Sequence, residues 1–397
     1  MIPLKSFRAK QLAIAGSALP LLWLVFARTL SAAPQAAPSQ ATGQAKPTAG
    51  QFFKNVKTTA LRGLTVDDFL GVMGVMSAAV GFDCSDCHPG AGFDKVDWVA
   101  DTMGTKVTAR KMIDMVTAIN RENFGGAQVV TCWTCHHARE IPATSIALDH
   151  LYDSANEEKD DIVRRDPKGV PAEQILDKYI EALGGAQRLA GLTSFIATGM
   201  QNGGYQGVRG GGQFQIFAKA PDQRTVVVTF PQAPERGDQT RAYDGHVGWI
   251  NTPRSVLGEY EVTGTELDGQ RMEAELSFPG QIKQVLTNLR VGFEDTINDH
   301  DVTVVQGTGP RGLLVTLYFD KQSGLLRRLI RYGNSPVGHI STQVDYDDYR
   351  DVAGIKFPFN FVFTWLDGRD GFTLTDIKTN VPIDPAVFGR PRRATTR

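Results

Sequence analysis

The sequence is poor in cysteine and has no excess of charge of either sign. It has 4 cysteines among 397 residues, and 42 basic residues face 43 acidic residues, for a formal net charge of −1. This balance argues against nucleic acid as the main partner, because phosphate binding requires a basic surface. The length predicts two or three domains, and the 42% of hydrophobic residues is sufficient for their cores.

The N-terminus lacks an apolar run long enough for an ordinary membrane span, which needs about 20 residues. Its charge-free stretch covers only 12–27, follows three basic residues and precedes the small residues of LSAAPQ. This order is typical of a secretory signal peptide, so we predict one at 1–33 with cleavage after Ala33. An uncleaved membrane anchor is the alternative. No cysteine lies near the exit, which excludes lipid attachment there.

Changes in composition divide the remaining chain into five parts. We predict a flexible tether at 34–50, a helical unit at 51–151, a charged linker at 152–171, a strand-rich part at 172–392 and a basic tail at 393–397. The expected architecture is therefore multidomain. A small mainly-α unit precedes a mainly-β, curved antiparallel sheet or incomplete barrel with a few helices.

Capping signals and hydrophobic periodicity locate the helices. A helix is predicted at 65–80, where Thr65 begins a capping box and Gly81 supplies the stop, and a second one from about 108 to 120. An amphipathic helix is predicted at 172–183, ended by two glycines. After it, alternating strands and Pro-Asp or Asp-Gly turns predict a meander of hairpins.

All four cysteines lie in two copies of one short motif. The first copy, DCSDCHPG, contains Cys84, Cys87 and His88. In an exported protein this spacing is typical of haem c attachment, because two thiols can bond to the two vinyl groups of one porphyrin. The histidine beside the second thioether then lies under the iron and binds it as the proximal ligand.

The second copy, TCWTCHHA, repeats the pattern with Cys132, Cys135 and His136. No cysteine is left over, so the sequence predicts two covalently bound haems c. Two alternatives compete with this interpretation. Two disulfides would close very small, strained loops, and one zinc ion held by both cysteine pairs would not require a histidine after each pair.

Each motif follows a predicted helix that carries two methionines. Met73 and Met76 share an apolar stripe before the first motif, and Met112 and Met115 precede the second. Methionine is the natural sixth ligand of a haem that only carries electrons. Spacing alone does not choose within either pair, and a methionine on an apolar helix face is often simple core packing.

Two other histidines lie near the second motif. His137 directly follows the predicted ligand, and we interpret it as a surface residue. His150 is a competing candidate for the sixth ligand. The histidines of the strand-rich part suggest no site by their positions.

The helical unit resembles the cytochrome c subunit of photosynthetic reaction centres. The resemblance rests on MGVMSAAVGFDCSDCH at 73–88, ARKMIDMVTAIN at 109–120 and VTCWTCHHA at 130–138. In that family a helix carrying the methionine ligand precedes each haem site, which implies Met73 and Met112 as the ligands here. This chain has two haem motifs instead of the four of fuller members. It also has RENFGG where the family places a histidine that ligates a distant haem.

The strand-rich part resembles outer-membrane lipoprotein carrier and sorting proteins. The resemblance rests on AYDGHVGWI at 242–250, LYFDKQSGLLRRLIRY at 317–332 and YDDYRDVAGIKFPFNFVFTW at 346–365. It implies an incomplete antiparallel barrel with helices closing its open side, and a concave apolar surface for a lipid or lipoprotein. The alternative is a scaffold that orients the haem unit.

These observations favour a periplasmic electron carrier, membrane-associated if the N-terminal segment is kept, that exchanges electrons with a redox partner protein. Six-coordinate haems leave no open iron site, so an enzymatic role is not expected. A haem enzyme, such as a peroxidase or a small-oxide reductase, is the first alternative. A lipid-binding module with a redox-sensing haem unit is the second.

Overall fold

The structure is a computed structural model that describes residues 46–93, 95–144, 162–202, 211–253, 257–366 and 368–391. The predicted signal peptide, the basic tail and His150 lie outside the described residues, as do most of the tether and half of the linker. Residues Pro47–Arg397 form one compact unit. Within the described ranges, no helix is both long enough and apolar enough to cross a membrane.

Helices are the regular elements of the first part of the described chain, and further helices lie before and between the strands of the second part. In chain order they are α1 Ala49–Phe52, α2 Thr59–Arg62, α3 Val66–Val80, α4 Gly104–Asn123, α5 Cys132–His136, α6 Ala172–Leu183, α7 Ala186–Ala190, α8 Gly264–Leu276 and α9 Ile282–Val285.

The strands of the second part form one antiparallel sheet, which has fourteen strands among the described residues. They are β1 Ser194–Asn202, β2 Gln213–Lys219, β3 Gln223–Thr229, β4 Gln239–Tyr243, β5 Gly248–Thr252, β6 Gly258–Glu261, β7 Thr287–Val291, β8 Asp295–Ile297, β9 His300–Thr308, β10 Leu314–Asp320, β11 Leu326–Ser335, β12 Gly338–Val352, β13 Ile355–Trp365 and β14 Gly368–Thr379. Their spatial order is β6-β5-β4-β3-β2-β1-β14-β13-β12-β11-β10-β9-β7, with β8 beside β9. The prediction of a large antiparallel sheet with helices is confirmed.

The predicted hairpins are present at their predicted positions. Strands β2 and β3 pair around the Pro-Asp turn, from Gln213 opposite Thr229 to Lys219 opposite Gln223. Every second side chain of β2 is buried, as the alternating sequence requires. Strands β4 and β5 pair across the Asp-Gly turn.

The main apolar core lies between the sheet and helices α6, α8 and α9. Leu176 and Leu183 of α6 and Met272 of α8 are almost fully buried against apolar strand residues. Burial of each such side chain contributes roughly 1.5–3 kcal/mol to folding. The amphipathic pattern of 172–183 therefore holds α6 on the sheet, and Gly184 ends the helix with a φ of 130°.

Helix α3 packs directly on the sheet. Its N-cap is Thr65, whose hydroxyl accepts a hydrogen bond from the Asp68 amide at 3.1 Å, and it ends at Gly81, which has a φ of 70°. A Cβ atom at Gly71 would lie 2.5 Å from Ile340 Cδ1, so glycine allows the helix to approach β12 closely. The helix that precedes the first cysteine motif is thus fixed to the strand-rich part.

Two aspartates of α3 also tie it to the start of α8. Asp67 Oδ2 accepts hydrogen bonds from the Thr263 amide at 3.0 Å and from the Thr263 hydroxyl at 3.2 Å. Asp68 Oδ1 accepts one from the Thr265 hydroxyl at 2.6 Å. Burial raises the pKa of Asp67 to about 6, and the nearby Glu266 carboxylate adds to the effect.

We expect Asp67→Asn to stabilise the protein at neutral pH relative to the wild type. A carboxyl whose folded-state pKa is raised favours folding below the unfolded value of 3.8, and that contribution is lost as the pH rises through 6. The neutral amide keeps an acceptor for Thr263 without this loss. The free energy of unfolding of the variant minus that of the wild type should therefore grow by roughly 2–3 kcal/mol between about pH 4 and pH 7.5. Urea denaturation of both proteins measures this difference. A difference that does not change with pH would contradict this account.

Candidate functional site

The first cysteine motif is shaped by its own aspartates. Asp83 Oδ1 accepts a hydrogen bond from the Ser85 amide at 2.7 Å, and Asp86 Oδ2 accepts one from the Asp83 amide at 2.8 Å. They close a short 3₁₀ turn over Cys84–Asp86, and the His88 amide donates to the Cys84 carbonyl at 2.9 Å. The backbone of the first motif therefore holds His88 close to Cys84.

The imidazole of His88 is held in its neutral form. Burial lowers its pKa, and the positive charges of Lys106 and Arg110 lower it further. Its ring meets the Trp98 ring edge-on, with centroids 5.1 Å apart. The Nδ1 atom is buried and has no hydrogen-bond partner among the described residues. A neutral imidazole with an unpartnered buried nitrogen is suited to bind a metal ion.

The second motif forms a regular helical turn, α5. Thr131 caps it, and its hydroxyl accepts a hydrogen bond from the Thr134 amide at 3.3 Å. His136 Nδ1 lies 2.9 Å from the carbonyl oxygen of Arg139. A histidine that donates one ring N–H to a carbonyl presents its other nitrogen in a fixed direction, as metal-ligating histidines do.

The four cysteines form no disulfide with one another. Cys84 and Cys135 are exposed, and Cys132 is buried. Burial raises the pKa of the Cys87 and Cys132 thiols. In the described part of the chain, no three histidine, cysteine or acidic side chains come together as a metal site. The cysteines therefore form neither disulfides nor a common zinc site in this structure, and two motifs of two thiols and one imidazole fit two haems c.

The candidate methionines lie on the predicted helices but differ in packing. Met73 and Met76 of α3 are both half-buried in the apolar cluster that contains Cys132 of the second motif. On α4, Met112 is half-buried, whereas Met115 is 43% exposed. Exposure therefore distinguishes Met112 from Met115, but it does not distinguish Met73 from Met76.

Each motif contacts the helix that precedes the other motif. The Thr105 hydroxyl, at the start of α4, donates a hydrogen bond to the Asp86 carbonyl of the first motif. The Ala138 amide, just after the second motif, donates to the Ala79 carbonyl of α3 at 2.9 Å. Each motif is thus held partly by the helix that precedes the other motif.

Apolar side chains are exposed mainly around the two motifs. Ten of the fourteen exposed large hydrophobic residues among the described residues lie in the helical unit: Phe52, Phe93, Trp98, Val99, Val107, Met115, Phe124, Val129, Trp133 and Ile141. Exposed apolar side chains concentrated in one part of a protein can contact another apolar group. A porphyrin has the apolar faces that such side chains can cover.

The second motif is also attached to the sheet. The Cys132 amide donates a hydrogen bond to the Val337 carbonyl at 3.1 Å, and the Gln128 side chain donates to the Ser335 carbonyl. Ser335 is the last residue of β11, and Val337, which is fully buried, lies in the turn between β11 and β12. The strand-rich part therefore positions the second cysteine motif.

Sequence reasoning missed a group of buried charges inside the strand-rich part. Arg224, Arg241 and Arg331 face Glu266 and Glu273. The signal was present, because Arg224 and Arg331 occupy strand positions where the alternating pattern requires inward-facing residues. A charged residue at such a position indicates a buried polar cluster.

Comparison with known proteins confirms the resemblance of the first part. Residues 23–166 match the family described as photosynthetic reaction centre cytochrome C subunit. The photosynthetic reaction center cytochrome c subunit of Thermochromatium tepidum is 32% identical over 108 residues, which are 26% of this chain and 25% of that protein. The subunit of Roseobacter denitrificans is 38% identical over 103 residues, 24% of this chain and 26% of that protein. The chain thus spans about a quarter of the length of these relatives.

Solved structures similar to this chain align with slightly more than half of it. A LolA superfamily protein from Nitrosomonas europaea has a TM-score of 0.38 and 16% identity, covering 56% of this chain and 99% of that one. A putative outer membrane lipoprotein-sorting protein domain from Vibrio parahaemolyticus has a TM-score of 0.36 and 12% identity, covering 54% and 97%.

Proposed function

We propose that this chain is an exported electron carrier that binds two haems c covalently. The observation that supports it best is the repetition of one motif, two cysteines and the histidine that follows the second, on two short helical turns. The family match includes both motifs, and the matched relatives are cytochrome c subunits. Each bound haem would accept and release one electron at its iron.

The proposed ligands of the first haem are Cys84, Cys87, His88 and Met73. The two thiols would hold the haem as thioethers, and the neutral His88 ring and Met73 would bind its iron. A methionine ligand raises the reduction potential relative to a second histidine, so we expect a fairly positive couple.

The proposed ligands of the second haem are Cys132, Cys135, His136 and Met112. The Arg139 carbonyl fixes the His136 ring, and hydrogen bonding of this kind strengthens the imidazole as a ligand. Met112 is favoured over Met115 because it is the less exposed of the two. If each haem is held by a methionine as well as a histidine, neither would bind a substrate, so we propose a carrier and not a haem enzyme.

The proposed location is the periplasm, and the proposed partner is a redox protein. The signal peptide predicted at 1–33 and the two haem c motifs together favour an exported location. Those exposed apolar residues of the helical unit that do not cover a haem would be available to contact a docking protein.

A haem count tests the proposal directly. The full chain is exported from a host that has haem-attachment machinery, and haem per chain is measured as the pyridine haemochrome. We expect two covalently bound haems, which remain attached in acidic acetone. A colourless protein, or one that releases all its porphyrin to that solvent, would overturn the proposal.

Met73→Ala should open one of the two irons to external ligands. The haem stays attached because its thioethers are intact, but loss of the sixth ligand should lower its potential and raise carbon monoxide binding to about one molecule per chain. Met76→Ala is the matched control, because that residue lies in the same cluster and should leave carbon monoxide binding unchanged. If the two variants behave in the opposite way, Met76 is the ligand.

A further inference from the structure

Three positively charged side chains meet at one carboxylate beside the first cysteine motif. Arg110 pairs with Asp101 Oδ1 at 2.9 Å, and Lys57 pairs with Asp101 Oδ2. Lys106 lies 3.9 Å from the same carboxylate. Hydrogen bonds from Arg110 and Lys57 hold the pKa of Asp101 well below its usual value, so this carboxylate stays ionised. We call these four residues the Asp101 cluster.

The Asp101 cluster lies next to the proposed histidine ligand of the first haem. Lys106 Nζ donates a hydrogen bond to the Trp98 carbonyl at 2.9 Å. The Trp98 ring in turn meets the His88 ring with centroids 5.1 Å apart. Thr105, which precedes Lys106, donates to the Asp86 carbonyl of the motif. The start of α4 therefore lies along the first motif.

Arg110 faces the first motif and not the second. It follows Lys106 by four residues on α4 and precedes Met112, the proposed ligand of the second haem, by two. Residues four apart on a helix share a face, whereas residues two apart do not. Arg110 thus lies on the face of α4 that carries Lys106. A group that Arg110 binds should therefore belong to the first motif.

Arg110 has hydrogen-bond donors that no described residue uses. Its ion pair with Asp101 and its hydrogen bond to the Asn55 carbonyl at 3.3 Å both use Nη2. Its Nε and Nη1 atoms donate to no residue in the described part of the chain. The side chain is only 18% exposed, so water reaches these donors poorly. Free guanidinium N–H groups of this kind form strong, charge-assisted hydrogen bonds with carboxylates.

The other carboxylates near the first motif are already held by the backbone. Asp97 Oδ1 accepts hydrogen bonds from two backbone amides at 3.0 and 2.9 Å. Asp83 and Asp86 close the turn of the motif. Among the described residues, only Asp101 forms an ion pair with Arg110. The free donors of Arg110 are thus available for a carboxylate that the chain itself does not supply.

We propose that Arg110 is a positioning residue that binds a propionate carboxylate of the haem at the first motif. This inference rests on the proposed haem binding and names the residue that receives the acidic edge of the porphyrin. Asp101 would hold the guanidinium in place for this contact. A positive charge near the iron favours its reduced form, which carries one positive charge fewer. Arg110 should therefore also raise the reduction potential of this haem.

Infrared difference spectra between the oxidised and the reduced full chain test the contact. The host is fed 5-aminolevulinate labelled with ¹³C at C1, which places the label in the haem propionates. We expect Arg110→Met to shift a labelled carboxylate band, because that carboxylate loses its hydrogen-bond donor. The control is Lys111→Met, which removes the same charge from an exposed neighbour on α4 and should leave the labelled bands in place.

Redox titration of the same proteins tests the electrostatic effect. Arg110→Met should lower the equilibrium constant for reduction of one haem by about tenfold, which is about 59 mV for one electron. Asp101→Asn removes a negative charge and should shift it in the opposite direction. Lys111→Met should stay within about twofold of the wild type, because water and salt screen an exposed charge. The single-haem protein that retains Cys84 and Cys87 should show the shift.

Three results would overturn the inference: unmoved labelled bands in a folded, haem-loaded Arg110→Met protein, an equal effect of Lys111→Met, or a shift confined to the haem of the second motif. If Arg110→Met does not fold, Arg110→Lys decides, because an ammonium in place of the guanidinium should still move the band. The haem count separates the two failures. A chain without haem overturns the proposed function and this inference together, whereas two attached haems with unmoved bands overturn the inference alone.

Discussion

Replacing Cys132 and Cys135 together by serine should lower the covalent haem content from two to one per chain. Serine cannot form the thioether bonds, while the first motif keeps its own turn, which Asp83 and Asp86 close locally. The measurement is haem staining after denaturing electrophoresis, with the pyridine haemochrome to count haem. A content that stays at two, or that falls to zero, would contradict independent attachment at the two motifs.

The matched control is the Cys84→Ser and Cys87→Ser pair, which should remove the other haem. These two single-haem proteins also decide which iron Met73 binds, a question that the contacts of α3 with the second motif make important. We expect Met73→Ala to raise carbon monoxide binding in the protein that retains Cys84 and Cys87. If it does so only in the other protein, Met73 serves the second haem.

Arg331→Met should lower the free energy of unfolding by about 3–5 kcal/mol, because removal of one partner from a buried charge group leaves the others uncompensated. Arg331 is 4% exposed and pairs with Glu266 at 2.9 Å. Burial disfavours the charged form of Glu266, but Arg331 and Arg241 outweigh it and hold the pKa of this carboxyl below its usual value. Urea denaturation at neutral pH measures the loss.

Lys378→Met is the control for this prediction. Lys378 also lies on a strand of the sheet, but its side chain is 70% exposed and reaches Asp376 only at 4.0 Å. An exposed pair of this kind contributes little, so the variant should stay within about 0.5 kcal/mol of the wild type. If Arg331→Met lowered the free energy of unfolding as little as this control, Arg331 and its glutamate partners would not form a buried charge group.

The sheet and its hairpins could be predicted because their signals are local. Inward and outward residues alternate along β2 and β3, and the turn residues fix the register between them. Both ends of α3 could also be predicted, since Thr65 and Gly81 carry the capping signals. Helix α4 begins at Gly104 instead of near 108, because Met103 at its N-cap makes no side-chain hydrogen bond and gives no signal in the sequence.

The packing of the helical unit on the sheet could not be predicted from the sequence. It depends on pairs such as Asp67 with Thr263, which are 196 positions apart, and no local pattern links them. The buried charges around Glu266 are similar, because their arginines come from three strands and their glutamates from one helix, and these elements meet only in the folded chain. The cysteine motifs were recognised from spacing alone, since their geometry is confined to five residues each.

The contact between the second motif and the β11–β12 turn has a consequence for biogenesis. Gln128 and Ser335 are 207 positions apart, so this support exists only after most of the polypeptide has been synthesised and, on the proposed export, translocated. The hydrogen bonds described for the first motif come from within it and from Thr105, 19 positions away. We therefore expect the two porphyrins to be installed in sequence, the first on a partly translocated chain and the second only once the late strands have assembled.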